Sequence, residues 1–295
     1  MIRSIFLIQV ILLFTFHSDA YAQKLQKTEM SLIEELTGIK GKYNDKTGVF
    51  RITSPRKDLV ATANGVKVTP ALAMTSWVAF KQAKKGTELM GDMVLTDDQV
   101  IPVIKTALDN GLKVTALDNR HSLDSPKVMF LHIEATGTLH ELASAVNKVL
   151  QEVNNKTKTV PAPAAEIDPA KSTLDGKKID DILYRKGTMT DGVYKITKAS
   201  TTKVRGQEIE SDMGVTSWAA FAGSDDNAVL MGDFAMKESD VQNVLKSLLK
   251  SKIYVVGIHN RMFEEDPKIV YVQYRGVGPA KDLALGLKDA LAQIH

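Results

Sequence analysis

The chain has 295 residues, 44% of them hydrophobic and 25% charged, a composition that can bury a sizeable core. Its net charge of +3 is small, and no Lys/Arg cluster interleaves with aromatic residues, so nothing points to nucleic acid. It has no cysteine, which excludes a disulfide framework, a thiol nucleophile, a thiolate metal site and a lipid anchor on an N-terminal cysteine.

The N-terminus reads as an export signal. Arg3 is followed by an apolar run from Ile5 to Phe16 and then by Ala20-Tyr21-Ala22. The run is shorter than the roughly 20 residues a membrane span needs, and a small-residue cleavage site follows it. Residues 1–22 are therefore expected to be removed, leaving an exported chain, periplasmic or secreted, that begins at Gln23 and has no membrane span.

Leu32, Ile33 and Leu36 predict a short helix that stops at Gly38. Short strands are expected at Lys42-Tyr43, Val49–Ile52 and Leu59–Thr62, with a hairpin turn at Asn64-Gly65. Thr75–Phe80 and Leu89–Leu95 read as longer strands. Thr96-Asp97-Asp98 opens a helix carrying Val100, Val103, Ile104, Ala107 and Leu108 on one face, with Pro102 expected to disturb or delay its first turn. A hairpin follows: Val114–Arg120, a turn closing at Pro126-Lys127, then Val128–Ile133. Leu139, Leu142, Ala143, Val146, Val149 and Leu150 mark a second amphipathic helix. From Asn154 to Lys178 periodicity disappears among Pro161, Pro163 and Pro169, as in an interdomain linker.

After Lys178 the same order returns. Gly192–Thr197 echoes Gly48–Thr53, Thr216–Phe221 echoes Thr75–Phe80, and Leu230–Asp233 echoes Leu89–Asp92. Trp218 lies 141 positions after Trp77, and Asp233, His259 and Gln273 lie the same 141 after Asp92, Asp118 and His132. A match that long at one spacing is a duplication. The expected organisation is a signal peptide over residues 1–22, a first repeat domain over 23–153, a linker over 154–178 and a second repeat domain over 179–295. The fold class is α+β: two homologous halves, each a mostly antiparallel sheet with helices on one face and a small β-rich lead-in. The order strand–strand–helix–strand–strand–helix is that of a permuted ferredoxin-like unit.

These repeated segments carry a resemblance. Ser54–Leu59, Ser76–Phe80, Met90–Leu95, Thr115–Asn119, Trp218–Ser224, Gly232–Met236, Ile258–Asn260 and Gly276–Ala280 are similar to the LppY/LpqO family of exported bacterial proteins of unknown function. The resemblance spans nearly all of the mature chain. It implies a hairpin end reading His-Asn-His or His-His-His with another His on the returning strand. Alternate residues of a strand share a face, so three imidazoles there could hold a transition metal. This chain departs from that pattern. Asp118 and Arg120 stand in two His places of the first half, and His132 keeps the third. In the second half His259 remains, while Arg261 and Gln273 replace the others. A fixed positive charge beside a dication is repulsive, so no cofactor is expected, with a transition metal at His132 and His259 as the alternative.

The candidate binding residues are Asp92, Asp118, Asn119, Arg120, His132, Asp233, His259, Asn260, Arg261 and Gln273. Arg120 and Arg261 could fork onto a carboxylate or phosphate, or could pair locally, since Asp118 shares a face with Arg120. His132, in an apolar strand, reads more readily as a hydrogen-bonded core or interface residue than as a ligand or base. Asp92 and Asp233 could pair with the two arginines across the sheet. Trp77 and Trp218 read as core. No G-x-S-x-G, P-loop or G-x-G-x-x-G is present, and no catalytic residue is assigned. The expectation is a non-catalytic exported protein that binds a small anionic ligand or a cell-envelope partner in a polar pocket at the repeated hairpin ends. A metal-dependent enzyme or metalloprotein built on a residual His/Asp site is the alternative.

Overall fold

The computed structural model describes residues 24–120, 124–155 and 165–295. The expected signal peptide lies outside them. No helix among the described residues is long and apolar enough to cross a membrane.

The first half runs α1 (Lys27–Thr37), β1 (Gly41–Asn44), β2 (Val49–Pro55), β3 (Ala61–Ala63), β4 (Val66–Val68), β5 (Thr75–Ala83), β6 (Gly86–Thr96), α2 (Asp97–Asp109), β7 (Lys113–Asp118), β8 (Asp124–Ser125), β9 (Val128–Gly137) and α3 (Leu139–Asn155). The second half repeats this as α4 (Gly176–Leu183), β10 (Thr188–Thr190), β11 (Val193–Ala199), β12 (Thr202–Val204), β13 (Gln207–Ile209), β14 (Thr216–Gly223), β15 (Ala228–Lys237), α5 (Val241–Lys250), β16 (Tyr254–His259), β17 (Glu265–Asp266), β18 (Ile269–Gly278) and α6 (Ala280–Leu291). Gly38 ends α1 in the left-handed conformation, as expected. Pro102 does not delay α2: the reciprocal capping of Thr96 and Gln99 fixes the helix start upstream, and Pro102 sits inside it.

Each half forms a six-stranded antiparallel sheet, in the orders β1-β2-β5-β6-β9-β7 and β10-β11-β14-β15-β18-β16. Within the first, β5-β6-β9-β7 is the permuted ferredoxin-like unit, and β14-β15-β18-β16 is its copy. Strand alternation then sorts side chains between two faces. Leu131, Ile133 and Ala135 of β9 join Leu89, Leu95 and the apolar faces of α1, α2 and α3 in one core. Val272 and Tyr274 of β18 join Leu230, Phe234 and the faces of α4, α5 and α6 in its counterpart.

The opposite faces of the two sheets meet each other. Two apolar clusters there draw on both halves. One joins Val94 and Phe130 to Ala220, Val229 and Met231. The other joins Val49, Ala79 and Met90 to Ala235, Ile269 and Tyr271.

Two small sheets, β4-β3-β8 and β13-β12-β17, are exchanged across this interface. Ala61, Ala63, Val66 and Val68 of the first half pack in the cluster with Ala220 and Val229. Val204 and Ile209 of the second half pack with Val49 and Ala79. Thus the expected turn between β7 and β9 contains β8, which pairs with β3 through Thr62 and Ser125. Part of the expected linker is also structured: Ile167 is buried, and its backbone bonds to Gly65 and Lys67.

Candidate functional site

Between the two apolar clusters the facing sheets are polar. Asp92 on β6 is in register with Trp77 on β5 and His132 on β9. Asp233 on β15 is in register with Trp218 on β14 and Gln273 on β18. A bulge in each outer strand, between Val114 and Ala116 and between Val255 and Gly257, re-aims its end over this row. Gly257 suits that approach, because a Cβ there would stand 2.6 Å from Gln273 Oε1. Glycine at 232 has a related reason: a Cβ would overlap the Tyr274 hydroxyl, which donates to the Trp218 carbonyl at 3.0 Å.

Just past the outer strands, Arg120 and Arg261 fold back over the sheet. Arg120 lies on the Phe130 ring, 4.0 Å from its centroid, and donates to Asp92. Arg261 lies on Tyr271 at 3.9 Å and donates to Asp233. Both acids are almost wholly buried. Burial raises the Asp92 carboxyl, but Arg120, His132 and Arg261 outweigh it and hold it below the ordinary value. Burial prevails at Asp233, whose carboxyl stands above it despite Arg261 and Arg120.

The halves touch through Asp118. Burial opposes its charge, yet the hydrogen bond with His132 and the charge of Arg120 hold its carboxyl well below the usual range. Its Oδ1 is 3.0 Å from His132 Nε2, and its Oδ2 accepts from Gln273 Nε2 at 2.7 Å. His259 stacks on His132 with centroids 5.8 Å apart, and its Nε2 is 3.7 Å from Asp118 Oδ1. Burial, first, with the nearby cations, pulls the His259 imidazole down to about 3, so it is neutral at ordinary pH. Arg261 Nε donates to its Nε2 at 3.4 Å.

Asn119 and Asn260 stand apart from this set. Each amide donates to a strand carbonyl, Val128 at 2.8 Å and Ile269 at 2.9 Å, and so pins the hairpin end. The other eight predicted residues gather on the facing sheets.

Above the row lies a cavity of about 330 Å³. Its wall includes Asp92, Arg120 and Arg261, and also Arg51, Lys195, Trp77 and Trp218, which lie outside the ten sequence candidates. The tryptophans are half-buried walls rather than core. Arg51 stacks on Trp77 at 4.0 Å, and Lys195 Nζ sits 4.5 Å above the Trp218 centroid. Arg51 and Lys195 occupy the same place in Gly48–Thr53 and Gly192–Thr197, so a cation repeated between buried apolar neighbours was the available signal.

The two cations differ in their surroundings. Arg51 donates to the Asp212 carbonyl at 3.1 Å, and the Asp212 carboxylate accepts from Asn44 and Thr47. The residue 141 positions before Asp212 is Ala71. Lys195 therefore faces no equivalent acid, and burial followed by the charges of Arg51 and Arg120 pulls its ammonium down to about 8. Beyond it, a recess of about 350 Å³ shares Lys195 and Thr197 with the cavity and is bordered by Ala71.

The fold and the site thus define a tandem-duplicated α+β protein with a cationic cavity between its halves. The chain belongs to the family described as Domain of Unknown Function (DUF1259), whose profile, DUF1529, matches residues 31–152 and 177–293. The two matched regions are the two halves, and the description names no activity. No curated protein matches. Among solved structures, the trimeric bacterial microcompartment shell protein PduB aligns at 7% identity over 85% of this chain and 89% of its own, with a TM-score of 0.22, too low to bear on fold or function.

Proposed function

We propose that this is an exported, non-catalytic binding protein that takes a small anionic ligand, free or presented by a cell-envelope partner, into the cavity between its halves. The observation that carries this reading is the cavity wall, where Arg51, Arg120, Lys195 and Arg261 converge while Lys195 has no hydrogen bond or ion pair to a described residue. Its volume is that of a small-molecule site. Guanidinium forks suit carboxylate or phosphate oxygens, and partial burial strengthens each contact. Export rests on Arg3, the apolar run and Ala20-Tyr21-Ala22, and agrees with the LppY/LpqO resemblance. N-terminal sequencing of the mature protein tests it, with Gln23 as the expected first residue.

Isothermal titration with inorganic phosphate, small mono- and dicarboxylates and acidic sugars tests the pocket. Arg51→Gln leaves both buried Arg–Asp pairs in place and should weaken binding about tenfold, the usual scale of a lost charged hydrogen bond. Binding that survives in Arg51→Gln, Arg120→Ala and Arg261→Ala alike would place the ligand elsewhere.

A second reading rests on Asp118, His132 and His259, whose ligand atoms lie within 4.8 Å of one another. Two imidazoles and a carboxylate suit a transition metal. Against it, Arg120 Nη2 lies 3.5 Å from His132 Nε2 and Arg261 Nε 3.4 Å from His259 Nε2, so a dication would sit among guanidinium groups. Elemental analysis of untagged protein decides this: a stoichiometric metal lost in His259→Ala favours the metalloprotein, and its absence disfavours it.

A further inference from the structure

Lys195 is placed unlike the other cations of the cavity. Arg120 and Arg261 each hold a buried aspartate, and Arg51 has Asp212 beside it. The amine of Lys195 points to a ring face, with Arg51 of the opposite sheet and Arg120, just past that sheet's outer strand, as its charged neighbours. Both neighbours are cations, and Ala71 stands where the pseudo-equivalent position holds an acid. Burial and two like charges favour loss of its proton, so at neutral pH about a tenth of the amine is free base. A neutral amine in a cavity is a nucleophile, which a guanidinium is not. A second recess shares Lys195 and Thr197 with the cavity, so the Lys195 side chain borders both spaces.

We infer that Lys195 captures the carbonyl group of an anionic aldehyde or 2-oxo acid as a reversible imine, while Arg51 and Arg120 hold the guest's negative group. This rests on the anion-binding reading and adds a covalent bond to it. The Nζ lone pair attacks the carbonyl carbon, the C=O π pair moves to oxygen, and a proton passes from nitrogen to that oxygen. The carbinolamine then loses its hydroxyl with the second amine proton as water, leaving C=N. One amine and one carbonyl give one imine and one water, with no oxidant or reductant.

The test uses the full mature chain and glyoxylate as probe, with sodium cyanoborohydride to fix any imine and peptide mass spectrometry to locate it. Neutral glycolaldehyde runs in parallel, and exposed Lys203 serves as the internal reference. Glyoxylate should label Lys195 about tenfold or more faster than Lys203, because the cavity's cations gather the anionic probe beside the amine. Glycolaldehyde should show much less preference, and inorganic phosphate should suppress the Lys195 adduct.

Lys195→Arg removes the nucleophilic amine, so it should lose the adduct at this position. Ala71→Asp rebuilds the acid that the fold already accommodates at Asp212, and should reduce labelling at least tenfold by holding Lys195 protonated. Phosphate bound with no preferential label on Lys195 overturns the imine and leaves the anion site standing. Failure of the wild type to bind phosphate overturns the anion site, and with it the inference. Equal labelling by glyoxylate and glycolaldehyde also overturns the inference, because the guest's charge would then play no part.

Discussion

The two halves place an aspartate and an arginine at the same two points, yet each pair rests on different neighbours. In the first half Arg120 also lies 3.7 Å from Asp118, and His132 stands opposite Asp92 in register. In the second half Gln273 replaces that imidazole, and Asp233 is the only acid bridged to Arg261 among the described residues. Duplication conserved the geometry of the pair, and divergence changed how well each copy is compensated. The comparison teaches that the second-half pair depends more heavily on its own two members.

Removing an acid separates the halves most sharply. Asp233→Ala would leave the Arg261 guanidinium buried without a carboxylate, and a guanidinium cannot shed its charge. The expected loss is about 4–5 kcal/mol, the upper range for an orphaned buried ion. Asp92→Ala should cost less, about 3 kcal/mol, because Asp118 remains within reach of Arg120. Urea unfolding monitored by tryptophan fluorescence checks both. Equal losses would mean that Asp118 gives Arg120 no support.

The exchanged small sheets offer a second contrast. Arg205 of the second half bridges Glu88 and Glu134, two buried acids of the first. Its partner in the pseudo-symmetry is Asn64, and the partner of Glu134 is Arg275. Arg275 donates to the carbonyls of Ala63 and Asn64, each at 3.2 Å. One contact therefore neutralises charge, while the other satisfies carbonyl oxygens. Arg205→Ala strands two carboxylates and should cost about 3 kcal/mol. Arg275→Ala removes hydrogen bonds from a charged donor and should cost about 1.5–2 kcal/mol. A reversed order would show that the carbonyl contact is the stronger clamp.

Some of this was legible in the sequence and some was not. The repeat, the strand–helix order and eight residues of the polar row were readable because duplication keeps a constant spacing and strands alternate their faces. The pairing of Asp92 with Arg120 was available as one reading, since both recur together. The cavity wall was harder. Arg51 and Lys195 are repeated at 144 residues rather than 141, ahead of the ungapped region, and basic residues in short strands usually face solvent. Trp77 and Trp218 read as core because aromatic residues in strands usually are. Nothing local announces that Arg205 would meet Glu88 and Glu134, or that Gln273 would meet Asp118. Those contacts follow from packing two sheets face to face between positions 71 to 155 residues apart in the chain.

pH separates two buried groups with opposite signs. His259 has a folded value of about 3, below its unfolded value, so the unfolded chain binds more protons between about 3 and 6.5. Its contribution to stability is complete above that window and falls by about 2 kcal/mol from pH 7 to pH 5. Glu265 is raised to about 7, chiefly by burial. The folded chain then binds more protons between about 4.5 and 7, and acidification stabilises it by a comparable amount. In wild type the two slopes should nearly cancel, giving similar urea midpoints at pH 7 and pH 5. His259→Gln should become more stable at pH 5 than at pH 7, and Glu265→Gln less stable. Matching profiles in all three proteins would mean that neither imidazole nor carboxylate is held as the fold implies.

The smallest expected effect is where the halves should agree. Asn119 and Asn260 pin equivalent hairpin ends through equivalent amide-to-carbonyl bonds. Each substitution to alanine removes a bond of about 1 kcal/mol. The two losses should match within about 0.5 kcal/mol, the usual error of independent single changes. Neither should alter phosphate affinity, because neither amide faces the cavity wall formed by Arg51, Arg120, Lys195 and Arg261. A selective loss of affinity in one variant would assign that hairpin end to the ligand, and would make the asymmetry at Lys195 part of a wider division of labour between the halves.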